Sequence, residues 1–163
     1  MALPKQKIVV PRRLQGVKHG FVPAEMLVDI KPYGKLYVEA AAAWMDMKQA
    51  AKQDGVVLKP TSSGDTYRSY EMQERAFLQR YQKEPIAGAS TRTWNGVKWY
   101  IKSPKLAPLA VPGGSWHNLG LACDVANASG PILAWLVANE DKFGWTHELD
   151  SEPWHIVFFG TKA

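Results

Sequence analysis

At 163 residues, with 46% hydrophobic and 21% charged side chains, the chain is long enough for one core and too apolar for disorder. A net charge of +5 and a sequence pI near 9.3 favour polyanionic partners: nucleic acid, anionic lipid or an anionic wall polymer. The lone Cys123 excludes an internal disulfide and a cysteine-rich zinc cage, and no stretch reaches the roughly 18 apolar residues that a membrane span needs.

Residues 1–36 read as an irregular N-terminal segment, broken by Pro4, Pro11, Pro23 and Pro32. The charged start, 1–18, has no apolar run behind it and does not read as a secretory signal. The chain is therefore expected to be made in the cytoplasm, without membrane insertion, as a single domain over 1–163 and a monomer. Residues 37–53 read as a helix, with Val38, Ala41, Ala42, Met45 and Gln49 on one face and Gly55 as its stop. A short strand is expected at 56–58 and a turn at 62–65. Ser69 can cap a helix over 70–83, whose Tyr70, Phe77, Leu78 and Tyr81 share a face. Asn95-Gly96, between Thr93-Trp94 and Val97-Lys98-Trp99-Tyr100, is a hairpin signal. A strand at 121–126, a helix from Gly130-Pro131 to near Gly144 and a strand at 154–159 complete the chain. Helices come first and strands dominate later, which predicts an α+β fold with a central antiparallel sheet flanked by helices.

The chemistry concentrates in two clusters. Ser115-Trp116-His117-Asn118-Leu119-Gly120-Leu121-Ala122-Cys123-Asp124 is the first, and Glu152-Pro153-Trp154-His155 the second. Zinc needs lone pairs converging at about 2.0–2.2 Å, and three protein ligands with an open position make a catalytic site. A loop bent at Gly120 can bring His117 and Asp124 to one point, and a neighbouring strand can add His155. Glu152 can then approach without ligating, while Trp154 is expected on the opposite strand face, in the core. From spacing alone each of the three is more often an ordinary polar residue than a ligand; their joint occurrence brings the two readings level. His147-Glu148 starts a zincin-like pattern, but position 151 is Ser, so His-Glu-x-x-His fails. His147 is then expected as a solvated loop residue, Cys123 as an inward-pointing strand residue, and Trp94, Trp99 and Trp116 as ordinary packing.

Ser115-x-His117-x-x-Gly120-x-Ala122-x-Asp124 with Glu152-x-Trp154-His155 resembles the signature of the zinc D-alanyl-D-alanine carboxypeptidase family, the VanY-like or LAS peptidases. Tyr67-Arg68-Ser69-Tyr70-Glu71-Met72-Gln73 is similar to that family's Tyr-Arg-Ser-x-x-x-Gln segment. The resemblance spans roughly residues 36–159. It implies a fold like the Hedgehog amino-terminal domain, a Zn2+ cofactor held by His117, Asp124 and His155, and Glu152 as general base and acid. It further implies Arg68 as the electrophilic partner of the scissile carbonyl, with Ser115 and Gln73 as supporting or substrate-binding residues. Thr66 stands where the family often has Gly, which bears on the local turn. The alternative for Arg68 is a surface ion pair with Glu71 or Asp65.

The substrate implied is the peptide part of bacterial peptidoglycan, cut by a carboxypeptidase or an endopeptidase. Short length, basic charge and the lack of a signal segment resemble a phage endolysin, acting on the cell wall after release or as part of a virion. Two other readings compete: a non-catalytic wall-binding or virion structural protein that keeps the fold, and a nucleic-acid binder. The 20 Lys and Arg residues are spread along the chain with no nucleic-acid motif, which counts against the last.

Overall fold

The computed structural model describes residues 2–160. The proline-rich N-terminal stretch is less irregular than expected. Leu27–Asp29 (β1) and Lys35–Tyr37 (β2) pair antiparallel, with Val28 opposite Leu36. Prolines punctuate the stretch but leave these short β-prone runs intact between them.

Helix α1, Val38–Gln53, follows β2 directly and stops at Gly55, whose φ is +78°. Its buried face is Ala40, Ala41, Trp44, Met47 and Ala51. This corrects the expected face: Ala42, Met45 and Gln49 are exposed. Trp44 decides the rotation, since it is the largest side chain on the helix and meets Trp145 edge-on, ring centres 6.0 Å apart. The strand expected at 56–58 does not form. Val57 is exposed, and the pairing is reduced to one bridge between Pro60 and Val125, proline having no N–H to extend it.

Helix α2, Tyr70–Arg80, is capped as expected: Ser69 Oγ accepts the Met72 N–H at 3.2 Å. It ends before 83 because Tyr81–Gln82 (β3) turns away to pair with a later strand. Leu78, expected inside, is exposed, while Phe77 and Tyr81 are buried. The predicted hairpin is present as Thr91–Trp94 (β4) and Val97–Ile101 (β5). Asn95 and Gly96 have φ of 52° and 74°, the left-handed pair that a two-residue type I′ turn demands. The order β3-β5-β4 supports a small second core in which Phe77 stacks on Tyr81 at 4.5 Å and meets Trp94 and Trp99 edge-on. Trp94 and Trp99 therefore pack, as expected.

The second half builds the sheet that carries the chemistry. Ala122–Asp124 (β6) is shorter than the expected 121–126. Helix α3, Gly130–Asn139, starts with Pro131 in its first turn and continues as a 3-10 turn to Gly144. Trp145–His147 (β7) and His155–Phe158 (β8) follow. The antiparallel order is β6-β8-β7, and all four residues of the middle strand β8 are buried. The fold is α+β as predicted, with antiparallel strands divided among three small sheets. The main core joins α1, Trp135 and Leu136 of α3, and Cys123, Trp145, Ile156 and Phe158. Cys123 is wholly buried there, and burial pushes its thiol pKa well up, which leaves it an inert packing residue.

Candidate metal centre

Ser115 opens the site by capping a 3-10 turn, Trp116–Leu119. Its Oγ accepts the His117 N–H and its own N–H reaches Asn118 Oδ1, both at 3.2 Å. The turn ends at Gly120 with φ +71°, where an added Cβ would lie 2.8 Å from the Tyr37 nitrogen. Only glycine fits so close to that backbone at that angle. The bend aims β6 back past the turn, so that Asp124 arrives beneath His117. The sheet register supplies the third group by placing Asp124 directly opposite His155.

Asp124 Oδ1 lies 3.1 Å from His117 Nε2 and 3.0 Å from His155 Nδ1. The three candidate ligand atoms all lie within 4.8 Å of one another. The outer nitrogen of each ring is committed elsewhere: His117 Nδ1 donates to Thr66 O, and His155 Nε2 to Glu148 Oε2, both at 2.7 Å. A carbonyl can only accept, so neutral His117 has its lone pair on Nε2, facing Asp124; the Glu148 carboxylate directs the His155 lone pair to Nδ1 in the same way. Two imidazole lone pairs and one carboxylate oxygen converging on a point, each backed by an outer hydrogen bond, is a donor set that fits zinc.

The electrostatics agree. Burial tends to raise the Asp124 pKa, but its close contacts with the His117 and His155 rings outweigh it and hold the carboxyl well below the carboxylate range. Burial lowers His117. Burial also pulls on His155, yet its bonds to Asp124 and Glu148 prevail and hold the ring up at about 9.

Around this point opens a cleft of about 760 Å³, lined by Arg68, Gln73, Ser115, Glu148 and Glu152 among others. Glu152 is set by a tight turn in which its N–H reaches Leu149 O at 3.2 Å and its carbonyl accepts the His155 N–H at 3.0 Å. Burial raises its carboxyl pKa, with Asp124 and Glu148 adding to the shift. Arg68 is clamped by its backbone, its N–H on His117 O and its carbonyl taking the Asn118 side-chain amide, both at 2.9 Å. Neither Asp65 nor Glu71 pairs with it; Glu71 instead holds Arg75 at 3.1 Å. The Arg68 Nε is buried without a protein partner, and burial lowers the guanidinium pKa. Gln73 is fully buried, with its amide N–H on Ala110 O at 2.9 Å.

Two side chains stand apart from expectation. Trp154 is exposed, because strand alternation begins only at His155 and the Pro153 turn precedes it. His147 is not a solvated loop residue but fully buried on β7. Its Nδ1 bonds Glu140 Oε1 at 2.8 Å and its Nε2 donates to Pro153 O at 2.7 Å, tying down the turn that carries Glu152. Sequence reasoning missed Glu148 altogether. It bridges His155 Nε2 and the Trp116 indole N–H, the latter at 3.1 Å. The failed zincin pattern was the only sequence signal at that position, and it pointed to a different geometry.

Residues 34–161 match the family model described as VanY: D-alanyl-D-alanine carboxypeptidase. The chain belongs to this family. A D-alanyl-D-alanine carboxypeptidase of Enterococcus faecalis (strain ATCC 700802 / V583) is 27% identical over 161 residues, covering 87% of this chain and 56% of that protein. The chain thus spans little more than half the length of that curated relative. The solved LdcB LD-carboxypeptidase matches with a TM-score of 0.61 and 25% identity over 88% of this chain and 72% of its own. A mutant of the vancomycin resistance D,D-pentapeptidase VanY in complex with Zn(II) matches with a TM-score of 0.57, at 22% identity over 85% and 83%. That last likeness is one of fold.

Proposed function

We propose that this VanY-family chain is a zinc-dependent peptidase that hydrolyses a peptide bond in the stem peptide of bacterial peptidoglycan. The observation that carries it is the convergence of His117, Asp124 and His155 within 4.8 Å in the cleft that Arg68 and Glu152 also line. The Zn(II) in the VanY structure of the same fold supports the choice of metal, and the family description supports a D-alanyl-D-alanine end as substrate.

His117 Nε2, an Asp124 carboxylate oxygen and His155 Nδ1 would hold the zinc. When bound, zinc supplies Lewis acidity and brings the pKa of water at the site to near ~7. Glu152 takes the proton of the attacking water and passes it to the leaving amine, a role its partly desolvated carboxylate suits. The guanidinium of Arg68, whose backbone is held by His117 and Asn118, stabilises the negative charge that develops on the scissile carbonyl oxygen. Ser115 accepts from the His117 N–H and keeps its own hydroxyl proton for substrate. Gln73, in the cleft wall, holds Ala110 in place. A non-catalytic wall binder would have no use for a base and a guanidinium in the cleft that holds the candidate ligands.

The same reading takes the assembled wall as the natural substrate, reached as a phage lysin or virion component, with the basic charge drawing the protein to anionic polymer. Mass spectrometry of muropeptides after digestion of purified sacculi tests it. Stem peptides shortened or cut by zinc-loaded wild type, and untouched by Glu152→Gln, are expected. Unchanged muropeptides with folded, zinc-loaded protein would overturn the proposal.

A further inference from the structure

Two cations in the cleft have no task in the reaction above. Arg80, the last residue of α2, and Arg92 on β4 line the same cleft as Arg68, His117 and Glu152. One strap of chain holds both. Arg80 Nη1 donates to Ala107 O at 3.1 Å, and Arg92 Nε to Leu109 O at 3.2 Å. Arg92 Nη1 also reaches Thr91 O at 2.9 Å, and its guanidinium carbon sits 5.8 Å from the Tyr81 ring centre. Ala107, Leu109 and Ala110 of that strap line the cleft too. The carbonyls orient the two forks without neutralising them.

Among the described residues, none of Arg68, Arg80 and Arg92 forms an ion pair. Asp124 and Glu148 are occupied by the histidines. Burial lowers the Arg68 pKa, Asp124 and Asp65 oppose that, and Arg80 adds to it as a like charge in the same cleft. The oriented Arg80 and Arg92 forks, which form no ion pair among the described residues, are suited to an anion from outside, and their planar donors match a carboxylate. A polyphosphate chain is a poor fit, because Asp65, Glu148 and Glu152 line the same space and would repel it. A peptide with single, spaced carboxylates can set them on one wall only.

The geometry points to a carboxylate subsite formed by Arg80 and Arg92, which takes a free side-chain acid of the stem peptide on the N-terminal side of its D-alanyl-D-alanine end, in addition to the terminal carboxylate. The subsite rests on the peptidase reading for the identity of its ligand. It sorts peptidoglycans by chemistry: stem peptides with the acid free fit, and those amidated at that position lose the partner.

The test uses paired synthetic stem peptides that differ only in a carboxylate or a carboxamide on the acidic residue preceding the D-alanyl-D-alanine end. Two readouts are taken: kcat/KM with zinc-loaded wild type, and calorimetric binding to zinc-loaded Glu152→Gln. The free acid is expected to be favoured by about 10- to 100-fold, the worth of one or two charge-assisted hydrogen bonds. Arg80→Gln combined with Arg92→Gln should bring the ratio to near one. Should that pair fail to fold, Arg80→Lys and Arg92→Lys, which keep charge and lose the fork, must each lower it. A wild-type ratio near one, or an unchanged ratio in folded variants, overturns the subsite. If neither peptide is cut but the binding ratio still follows Arg80 and Arg92, the subsite stands and the peptidase reading falls.

Discussion

Asp124 and His155 face each other across β6 and β8, and the Asp124 Oδ1 to His155 Nδ1 distance is 3.0 Å. Two-thirds of the candidate ligand set is therefore a consequence of strand register. A slip of either strand by one residue would turn its own ligand candidate to the other face, away from its partner. His117 joins them only because the chain reverses at Gly120.

That dependence makes the first prediction one of backbone geometry. Gly120→Ala places a Cβ 2.8 Å from the Tyr37 nitrogen at φ +71°, where neither atom is the end of a flexible side chain. We expect a destabilisation of about 1–3 kcal/mol, together with weakened zinc binding. Urea unfolding with and without zinc checks it. An alanine variant as stable as wild type would show that the turn can relax away from β2.

Zinc content is the second. Purified protein should carry about one zinc per chain, and Asp124→Ala should abolish it while the fold remains. The deleted carboxylate contributes the only anionic oxygen of the ligand set, and His117 and His155 alone leave a weak pair of ligands. Elemental analysis reads this directly, and full zinc occupancy in Asp124→Ala would refute the ligand assignment.

Glu148 tests the support behind a ligand. Glu148→Gln keeps length and an acceptor for the Trp116 indole or the His155 Nε2–H, but loses the charge that strengthens the ring as a donor. Outer partners of this kind are worth about 10–100-fold in metal affinity. Competition with a chromogenic chelator should show a loss of that size, and an unchanged affinity would reduce Glu148 to a packing role.

Most of this chemistry could be read from the chain, and the reason is physical. Candidate ligands on a turn and on adjacent strand positions are close in sequence, so His117, Asp124 and His155, with Glu152 as the proposed base, announce themselves as two short clusters. The hairpin at Asn95-Gly96 and the Ser69 cap were legible for the same reason, since both depend on local backbone preference. What escaped depends on tertiary packing. The α1 face rotated to suit Trp44 against Trp145, Val57 stayed exposed, and His147 was drawn inside by Glu140, seven residues away. Glu148 became visible only once β7 and β8 were set side by side.

The metal-free protein carries a pH signature. His155 is held up at about 9, above the ordinary histidine value of 6.5. A ring that binds its proton more tightly folded than unfolded stabilises the fold fully below 6.5, and that contribution is lost as pH rises through about 9. The thermal midpoint of zinc-free protein should fall between pH 6.5 and 9. In the zinc-loaded protein the ring is a neutral ligand, so the same window should be flatter. An equal slope in both forms would place the titration elsewhere.

The last prediction separates the base from the frame that holds it. Glu152 owes its position to backbone bonds with Leu149 and His155, and to His147 gripping Pro153 O. None of these uses its carboxylate. Glu152→Gln should therefore keep fold and zinc, and lose about 10²–10⁴ in kcat, the usual worth of a positioned proton-transfer group. Arg68→Ala should also retain zinc, because the backbone of residue 68, not its side chain, holds His117 and Asn118. Its loss of about 10²–10³ should fall on kcat rather than on KM, as for a donor that meets charge only in the transition state. Single-turnover rates on a D-alanyl-D-alanine-terminated peptide, with zinc measured on the same samples, decide both. If Glu152→Gln lost zinc in proportion to activity, the carboxylate would be a ligand and not the base. If Arg68→Ala changed KM alone, the guanidinium would bind substrate without stabilising the oxyanion.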